Sequence, residues 1–369
     1  MAEENKLKEV AKVFFKLGCI AFGGPAAHIA VMDDEVVQKR KWMTQEHFLD
    51  LIGATNLIPG PNSTEMTMHC GHERAGWKGL VVAGATFVFP AVIITLIFSW
   101  LYAEYGQLPS VEPFIYGIKP AVIAIIISAV YRLGKKALKN IELGILGTLT
   151  LMASLLGMNE IIALFATGLL GLLLHLIKNA KNTTNGFFPI VLMAGNVGTL
   201  KVLLTFLKVG ALLYGGGYVL FAFLDAELVS TGLLSRQELI DAIAVGQFTP
   251  GPVLSTATFI GYQLNGFWGA MAATIGIFLP SFIFVAILNP IVPKLRKSNT
   301  ISAFLNSVNI AAVAVIIAVC IEMGKDSITD WRTAFISVLS LITVFWLKKL
   351  NSAFIVMGGA LLGYLLMLI

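Results

Sequence analysis

Charged residues are scarce in this sequence. Only 13% of its 369 residues are charged and 57% are hydrophobic, whereas soluble domains carry about 25% charged residues. The apolar excess extends along the whole chain, and the runs 77–102, 111–133, 267–289 and 301–320 approach or exceed the roughly 20 residues that a helix needs to cross a bilayer. We therefore predict an all-α polytopic membrane protein, because helices satisfy their own backbone hydrogen bonds in lipid.

Cysteine is also rare, and its spacing excludes two kinds of site. Cys19, Cys70 and Cys320 lie far apart and show neither metal-binding nor disulfide spacing. Among the histidines only His69-x-x-His72 has a ligand-like spacing, without a third ligand, so we expect no metal and no cofactor. No P-loop, G-x-S-x-G or H-E-x-x-H motif occurs, so the sequence supports neither ATP-driven transport nor an enzyme.

Three further absences narrow the class of protein. No stretch alternates apolar and polar residues over about ten positions, which argues against an outer-membrane barrel. The first ten residues are polar and lack the apolar core of a secretory signal, so we expect no cleaved leader. The net charge of +5 is explained by loop lysines and arginines. The expected partner is therefore the lipid bilayer and no nucleic acid.

The sequence repeats itself once. Residues 15–24 align with 207–216 at a shift of 192, which places Lys16 against Lys208, and residues 57–64 align with 248–255 at a shift of 191. Two homologous halves are predicted, with a polar join near residues 178–186. Their boundaries are an N-terminal repeat over 1–180, a linker or extra span over 181–200, and a C-terminal repeat over 201–369.

The loop charges reverse between the halves. Residues 131–140 hold four basic side chains, whereas 321–330 hold three acidic side chains and one lysine. Residues 101–113 hold no lysine or arginine, whereas 291–303 hold three. Because such basic residues accumulate on the cytoplasmic side, the halves are predicted to form an inverted-topology repeat. We expect roughly 10 to 13 spans, with broken or re-entrant helices.

Both halves contain a Pro-Gly-Pro break followed by hydroxyl residues. Proline interrupts a helix and suits the first turn of the next one, where free backbone N–H groups and the helix dipole attract anions. A packing kink is the alternative, but equivalent breaks in inverted halves are typical of transport sites.

Lys119 is a charged residue within a predicted span, where its insertion is costly, so it is expected to be paired, snorkelling or functional. The equivalent residue in the second half is Asn309. The predicted substrate-binding residues are Asn62, Ser63, Thr64, Lys119, Gln247, Thr249, Ser255 and Thr256.

A glycine-rich break lies near the start of each half, at residues 23–25 and 215–217. His28 follows the first of these breaks, whereas Glu65 follows the Pro-Gly-Pro break of the first half. Glu65 is interpreted as a proton acceptor, as a partner of Lys119 or as part of a polar rim, and His28 as a second candidate for coupling. Lys16 and Lys208 are expected to snorkel to the interface or to attract an anion, and the charges of 33–41 to lie in a solvated loop after a re-entrant hairpin. The predicted helix-break residues are Gly23, Gly24, Pro25, Pro59, Gly60, Pro61, Gly215, Gly216, Gly217, Pro250, Gly251 and Pro252.

Several motifs together resemble a known family. FGGPAAHIAVM, LIPGPNSTEM, YGGGYV and QFTPGPVLSTATFIG are similar to motifs of the chromate ion transporter family in its long, two-domain form. The resemblance implies a bacterial or archaeal inner-membrane protein that exports chromate, a tetrahedral dianion like sulfate. The alternative function is uptake or exchange of sulfate or a related oxyanion. A third hypothesis is a membrane-embedded enzyme or channel. The protein could also form a homodimer.

Overall fold

A computed structural model describes most of the chain, and within its described part all regular elements are helical. The glycine pair Gly23-Gly24 and residues 179–197, which include most of the linker predicted over 181–200, lie outside the described residues. The described ranges are 2–22, 25–55, 57–106, 108–178, 198–288, 298–347 and 350–368.

The helices of the two halves follow the same order. The first half contains α1 (Ala2–Ile20), α2 (Pro25–Met32) with a π-helix (Asp33–Lys39), α3 (Gln45–Thr55), α4 (Asn62–Tyr105), α5 (Glu112–Ala137), α6 (Ile141–Leu155) and α7 (Glu160–Lys178). The second half contains α8 (Thr199–Leu212), α9 (Val219–Leu224) with a π-helix (Asp225–Val229), α10 (Arg236–Phe248), a 3₁₀ turn (Val253–Ser255), α11 (Thr256–Leu288), α12 (Asn299–Ser327), α13 (Trp331–Trp346) and α14 (Ser352–Met367). The internal repeat is therefore also a repeat of structure.

The helices that follow the two Pro-Gly-Pro breaks are hairpins. In α4 the backbone leaves the helical region at Ala75 and Gly76, and in α11 it does so at Asn265 and Gly266. Gly76 and Gly266 have φ angles of +60° and +55°, which glycine adopts without steric cost. Each hairpin thus has a short limb, 62–74 or 256–264, and a long limb, 77–105 or 267–288. These turns were not predicted from the sequence.

We expect Gly79→Ala to destabilise the first hairpin. A Cβ at Gly79 would lie 2.1 Å from the carbonyl oxygen of Gly71 on the opposite limb, and overpacking of this kind costs about 1–3 kcal/mol. The midpoint of thermal unfolding in detergent should therefore fall by a few degrees. Gly324→Ala is the matched control, because its Cβ meets nothing within 4 Å, and an equal midpoint for both variants would contradict the prediction.

The two halves run in opposite directions. The long limb of α4 contacts α11 in reverse order: Gly84 packs against Phe282, and the Ser99 carbonyl accepts a hydrogen bond from Gln263 at 3.2 Å. Ser99 lies about 35 Å along its limb from Gly76, at 1.5 Å per residue, and yet it is next to the turn of α11. The two hairpin turns therefore lie at opposite ends of the bundle, as the reversed loop charges predict.

The opening segment of the chain folds back on itself. Glu9 in α1 pairs with Arg40 at 3.2 Å and with Arg74 at 2.7 Å, and Lys78 pairs with Glu3 at 3.1 Å. The start of α1, the end of the π-helix and the turn of α4 therefore share one end of the bundle. The interpretation of 33–41 as a solvated loop is wrong over 33–39, because these residues form the π-helix and the side chain of Glu35 within it is buried.

The apolar helices match a membrane protein in length. Five helical segments of the described chain are long and apolar enough to cross a bilayer, and α6, α13 and α14 are shorter apolar helices. In the second half, every residue of the short helix α9 is buried in protein. The expected 10–13 spans stay a prediction, because length and composition alone define five.

Candidate functional site

The Pro-Gly-Pro breaks interlock the two halves. The backbone N–H of Gly60 donates to the Leu213 carbonyl at 2.8 Å, and that of Gly251 donates to the Ala21 carbonyl at 2.9 Å. Ala21 and Leu213 are equivalent positions in the repeat, each just after the first helix of its half. Each break is therefore held by the first helical segment of the other half, and the two contacts are related by the inverted repeat.

The breaks are followed by helix starts that differ slightly between the halves. Pro61 is the N-cap of α4, with φ −82° and ψ 100°, so the helix begins at Asn62, one residue later than predicted. Pro252 caps the 3₁₀ turn, and α11 begins only at Thr256. In both cases the first backbone N–H groups after the proline have no acceptor within their own helix.

Two hydroxyl groups occupy equivalent places in these helix starts. Thr64 and Ser255 correspond at the shift of 191 residues and both are 0% exposed. Among the described residues neither hydroxyl oxygen has a hydrogen-bond partner, and the same holds for Oε2 of Glu65 and Nε2 of Gln247. Because an unsatisfied buried polar group costs about 1–3 kcal/mol, each of these groups needs an explanation, and binding of a ligand at the helix starts would supply one.

Other predicted binding residues already have partners. The Thr249 hydroxyl donates to the Val245 carbonyl at 2.7 Å, and the Thr256 hydroxyl donates to the Val253 carbonyl at 2.8 Å. Asn62 has an interaction partner as well, and Ser63 is buried beside Thr64. The two threonines have used their single donor within their own helix, so they are less suited to an anion than Thr64 and Ser255.

Lys119 does not pair with Glu65. Its Nζ lies 3.6 Å from Oδ1 of Asp241 in α10, and the Tyr102 hydroxyl donates to Oδ2 of the same carboxylate at 2.7 Å. The sequence interpretation missed Asp241 and Tyr102, although an acidic residue inside the apolar stretch ELIDAIAVG was a visible signal. Lys119 was expected to be paired, snorkelling or functional. The structure shows it paired, and the pair is largely buried.

Glu65 is enclosed where the two halves meet. The Ser281 hydroxyl of α11 lies 3.4 Å from its Oε1, and the side chain is 0% exposed. A Cβ at Gly60 would lie 2.3 Å from the same Oε1, so the carboxyl group packs directly on the Pro-Gly-Pro turn. The polar-rim interpretation of Glu65 is wrong, because no part of the residue reaches solvent.

A comparison with known families decides what kind of protein carries this arrangement. The family model described as "Chromate transporter" matches residues 8–172 and again residues 200–364. This chain belongs to the chromate transporter family. The transporter is accordingly a multi-pass protein of the cytoplasmic membrane, and the two matched segments correspond to its two halves. The exact boundaries at 180 and 200 stay a prediction.

Individual relatives resemble the transporter over nearly its whole length. It is 31% identical to a probable chromate transport protein of Synechococcus elongatus, over 97% of this chain and 95% of the relative. It is 30% identical to a chromate transport protein of Cupriavidus metallidurans, over 97% and 92%. An uncharacterized transporter of Methanocaldococcus jannaschii is 27% identical, over 96% and 93%. No solved structure matches the chain significantly.

His28 of the transporter supports one of the two interlocking contacts. Its Nε2 lies 3.0 Å from the Ala21 carbonyl, the same oxygen that accepts from Gly251. A carbonyl only accepts, so Nε2 carries the proton in the neutral ring. The ring also packs edge-on against Phe87, with 5.6 Å between centroids. These contacts give His28 a positioning role, and its part in coupling stays a prediction.

The opening breaks and their lysines also repeat in the transporter. Pro25 begins α2, as predicted, and Gly215 and Gly216 have φ angles of +98° and +95° between α8 and α9. Lys16 pairs with Glu35 at 2.9 Å, and Lys208 pairs with Glu227 at 2.7 Å. The snorkelling prediction is thus incomplete, because each lysine also ties the first helix of its half to the π-helix behind the break.

Proposed function

We propose that this chain is a secondary active transporter that exports chromate across the cytoplasmic membrane and so confers chromate resistance. The observation that carries the proposal is the pair of equivalent, buried and unpartnered hydroxyls, Thr64 and Ser255. Each follows a Pro-Gly-Pro break that contacts the opposite half. The names of the relatives, chromate transport proteins of two bacteria, support chromate as the substrate.

The chemistry of these groups suits a tetrahedral dianion. The helix starts after Pro61 and Pro252 offer backbone N–H donors and the positive ends of helix dipoles. The hydroxyls of Ser63, Thr64 and Ser255 add donors, and Lys119 supplies formal charge. Buried from water, such donors interact more strongly with an anion than they would in solvent.

The interlocked breaks suggest how access alternates in the proposed cycle. Because each Pro-Gly-Pro turn is held by the other half, rocking one half against the other changes both helix starts together. An inside-negative potential favours outward movement of a dianion by about 2.3 kcal/mol per charge per 100 mV. Protonation of Glu65 is the proposed route of any proton coupling, with His28 as the second candidate.

Uptake or exchange of sulfate is the alternative function. The donors described above recognise tetrahedral shape and negative charge, which chromate and sulfate share. Selectivity between the two dianions and the direction of flux are therefore decided by the same experiment.

Flux in inverted membrane vesicles tests the proposal. We expect ATP-independent accumulation of chromate inside the vesicles, faster when an imposed potential makes the interior positive, because the inside of such a vesicle corresponds to the outside of the cell. An excess of sulfate should compete only weakly. Chromate flux only in right-side-out vesicles, or full inhibition by equimolar sulfate, would instead support uptake or exchange.

The coupling residue is examined in the same vesicles. If protons are coupled through Glu65, an imposed pH gradient changes the wild-type rate and leaves the rate of Glu65→Gln unaffected. The conservative replacement of the exposed carboxylate Glu112→Gln should keep the wild-type response. A wild-type rate that follows voltage and ignores the pH gradient would reject proton coupling.

A further inference from the structure

A largely buried ion pair connects the two halves of the chain. Lys119 belongs to α5 of the first half and Asp241 to α10 of the second. Asp241 is only 6% exposed, and the lysine side chain is 20% exposed. Two charges withdrawn from water cost several kcal/mol each unless their geometry and hydrogen bonds are excellent.

The geometry of this pair is loose. The distance of 3.6 Å between Lys119 Nζ and Asp241 Oδ1 exceeds the 2.7–2.9 Å that is typical of a charge-assisted hydrogen bond. Oδ1 has no hydrogen-bond partner in the described chain, while Oδ2 accepts from the Tyr102 hydroxyl. Among the described residues Glu238 is a second carboxylate near Asp241, one turn earlier on α10 and close to the N-terminal end of that helix. The Asp241 carboxylate is therefore fixed by a hydrogen bond from Tyr102, whereas its interaction with Lys119 is a longer electrostatic contact.

The pair breaks the symmetry of the repeat. The equivalent of Lys119 in the second half is Asn309, and the equivalent of Asp241 in the first half is Asp50. Asp50 is exposed, unlike Asp241. The equivalent positions Asn309 and Asp50 carry no cation, so the packing of the repeat does not itself require a lysine here, and this asymmetry favours a role of Lys119 in binding.

The pair also adjoins the second helix start. The Tyr102 ring packs against Phe259, with 5.1 Å between ring centroids, and Phe259 lies one helical turn after Ser255 in the short limb of α11. Phe98, one turn before Tyr102, packs in the same way against Phe248 at the end of α10. Tyr102, Asp241 and Lys119 thus form one packed group with the short limb of α11, which directly follows the 3₁₀ turn that carries the unpartnered Ser255 hydroxyl.

We propose that Asp241 is the internal counter-ion of Lys119 in the anion-free state and that the transported dianion displaces it. The inference rests on the proposed function, since it assumes that Lys119 binds the substrate. Asp241 pairs with Lys119 while no anion is bound. When the dianion binds Lys119 instead, the hydrogen bond from Tyr102 holds the Asp241 carboxylate in position. Exchange of partners at Lys119 releases one tie between the halves, which links anion binding to their relative movement.

Two substitutions should shift the KM for chromate in opposite directions. Asp241→Asn removes the competitor of the substrate, so we expect KM to fall about tenfold, with a lower maximal rate because the anion leaves slowly. Tyr102→Phe removes the hydrogen bond that retains the carboxylate, so Asp241 binds Lys119 more tightly and KM rises severalfold. Lys119→Asn, which copies the second half, should abolish saturable flux.

The measurements are initial chromate flux in inverted vesicles and chromate-dependent thermal stabilisation of the purified protein. Asp50→Asn is the matched control, because it changes the exposed carboxylate at the equivalent position, and its KM should equal that of the wild type. An unchanged or raised KM in Asp241→Asn would overturn the proposal. If that variant does not accumulate, an unchanged KM in Tyr102→Phe overturns it instead.

Failure of the inference and failure of the proposed function are distinguishable. If the wild type shows neither chromate flux nor stabilisation by chromate, the proposed function itself is wrong. If the wild type transports chromate and both variants lose maximal rate in proportion to their amount in the membrane, with KM unchanged, the pair is only structural. The double variant Lys119→Asn/Asp241→Asn should accumulate normally and fail to bind, since it is neutral and lacks the lysine.

Discussion

Replacement of Gly60 by alanine is expected to abolish transport and to destabilise the protein strongly. Gly60 has a φ of +141°, and an alanine Cβ there would lie 2.2 Å from the Ser281 hydroxyl and 2.3 Å from Oε1 of Glu65. The backbone conformation alone costs about 1–3 kcal/mol for a residue with a side chain. The clash would in addition push Glu65 and α11 away from the turn.

The measurement is the amount of folded protein in the membrane together with chromate flux per molecule. Gly251→Ala, with a φ of +90°, should be less severe, because its Cβ would lie 3.0 Å from the Ala91 methyl group and 3.4 Å from the Gly18 carbonyl oxygen, both farther than the contacts at Gly60. Gly358→Ala is the control, since nothing lies within 4 Å of its Cβ. Near-normal flux in Gly60→Ala would show that the interlocked breaks are not needed for transport.

The second large effect is expected when both unpartnered hydroxyls are removed. In the double variant Thr64→Ala/Ser255→Ala, chromate flux below saturation should fall by at least about 100-fold, because hydrogen bonds to a charged group contribute about 1.5–3 kcal/mol each. The protein should fold normally or become slightly more stable, since two buried hydroxyls without partners are removed.

Reduced flux together with unchanged stability distinguishes a role in binding from a role in packing. A residue needed only for packing lowers stability and flux together, whereas these hydroxyls should lower flux alone. Thr148→Ala serves as the control, because the exposed Thr148 hydroxyl bonds only to the Gly144 carbonyl of its own helix. Wild-type flux in the double variant at normal protein levels would show that neither hydroxyl belongs to the proposed binding site.

Much of the architecture could be predicted because its signals are local. Prolines and glycines break a helix where they stand, so the breaks at Pro59–Pro61, Gly215–Gly217 and Pro250–Pro252 could be identified from the chain. Loop charges are counted segment by segment, so the opposite orientation of the halves could be predicted without any contact between them. The hairpin turn at Ala75-Gly76 was missed because it lies between an apolar limb and a polar one and contains no proline.

The amino-acid sequence by itself determined the helical membrane fold, the duplication, the inversion and the chemical type of the helix starts. Only the tertiary structure decided that Gly60 and Gly251 donate to the opposite half, that Glu35 is buried and that Lys119 pairs with Asp241. The physical reason is range: helix breaks and hydropathy act over a few neighbouring residues. The partner of a buried charge, in contrast, is chosen by which helices pack together, and Lys119 and Asp241 come from different halves of the chain.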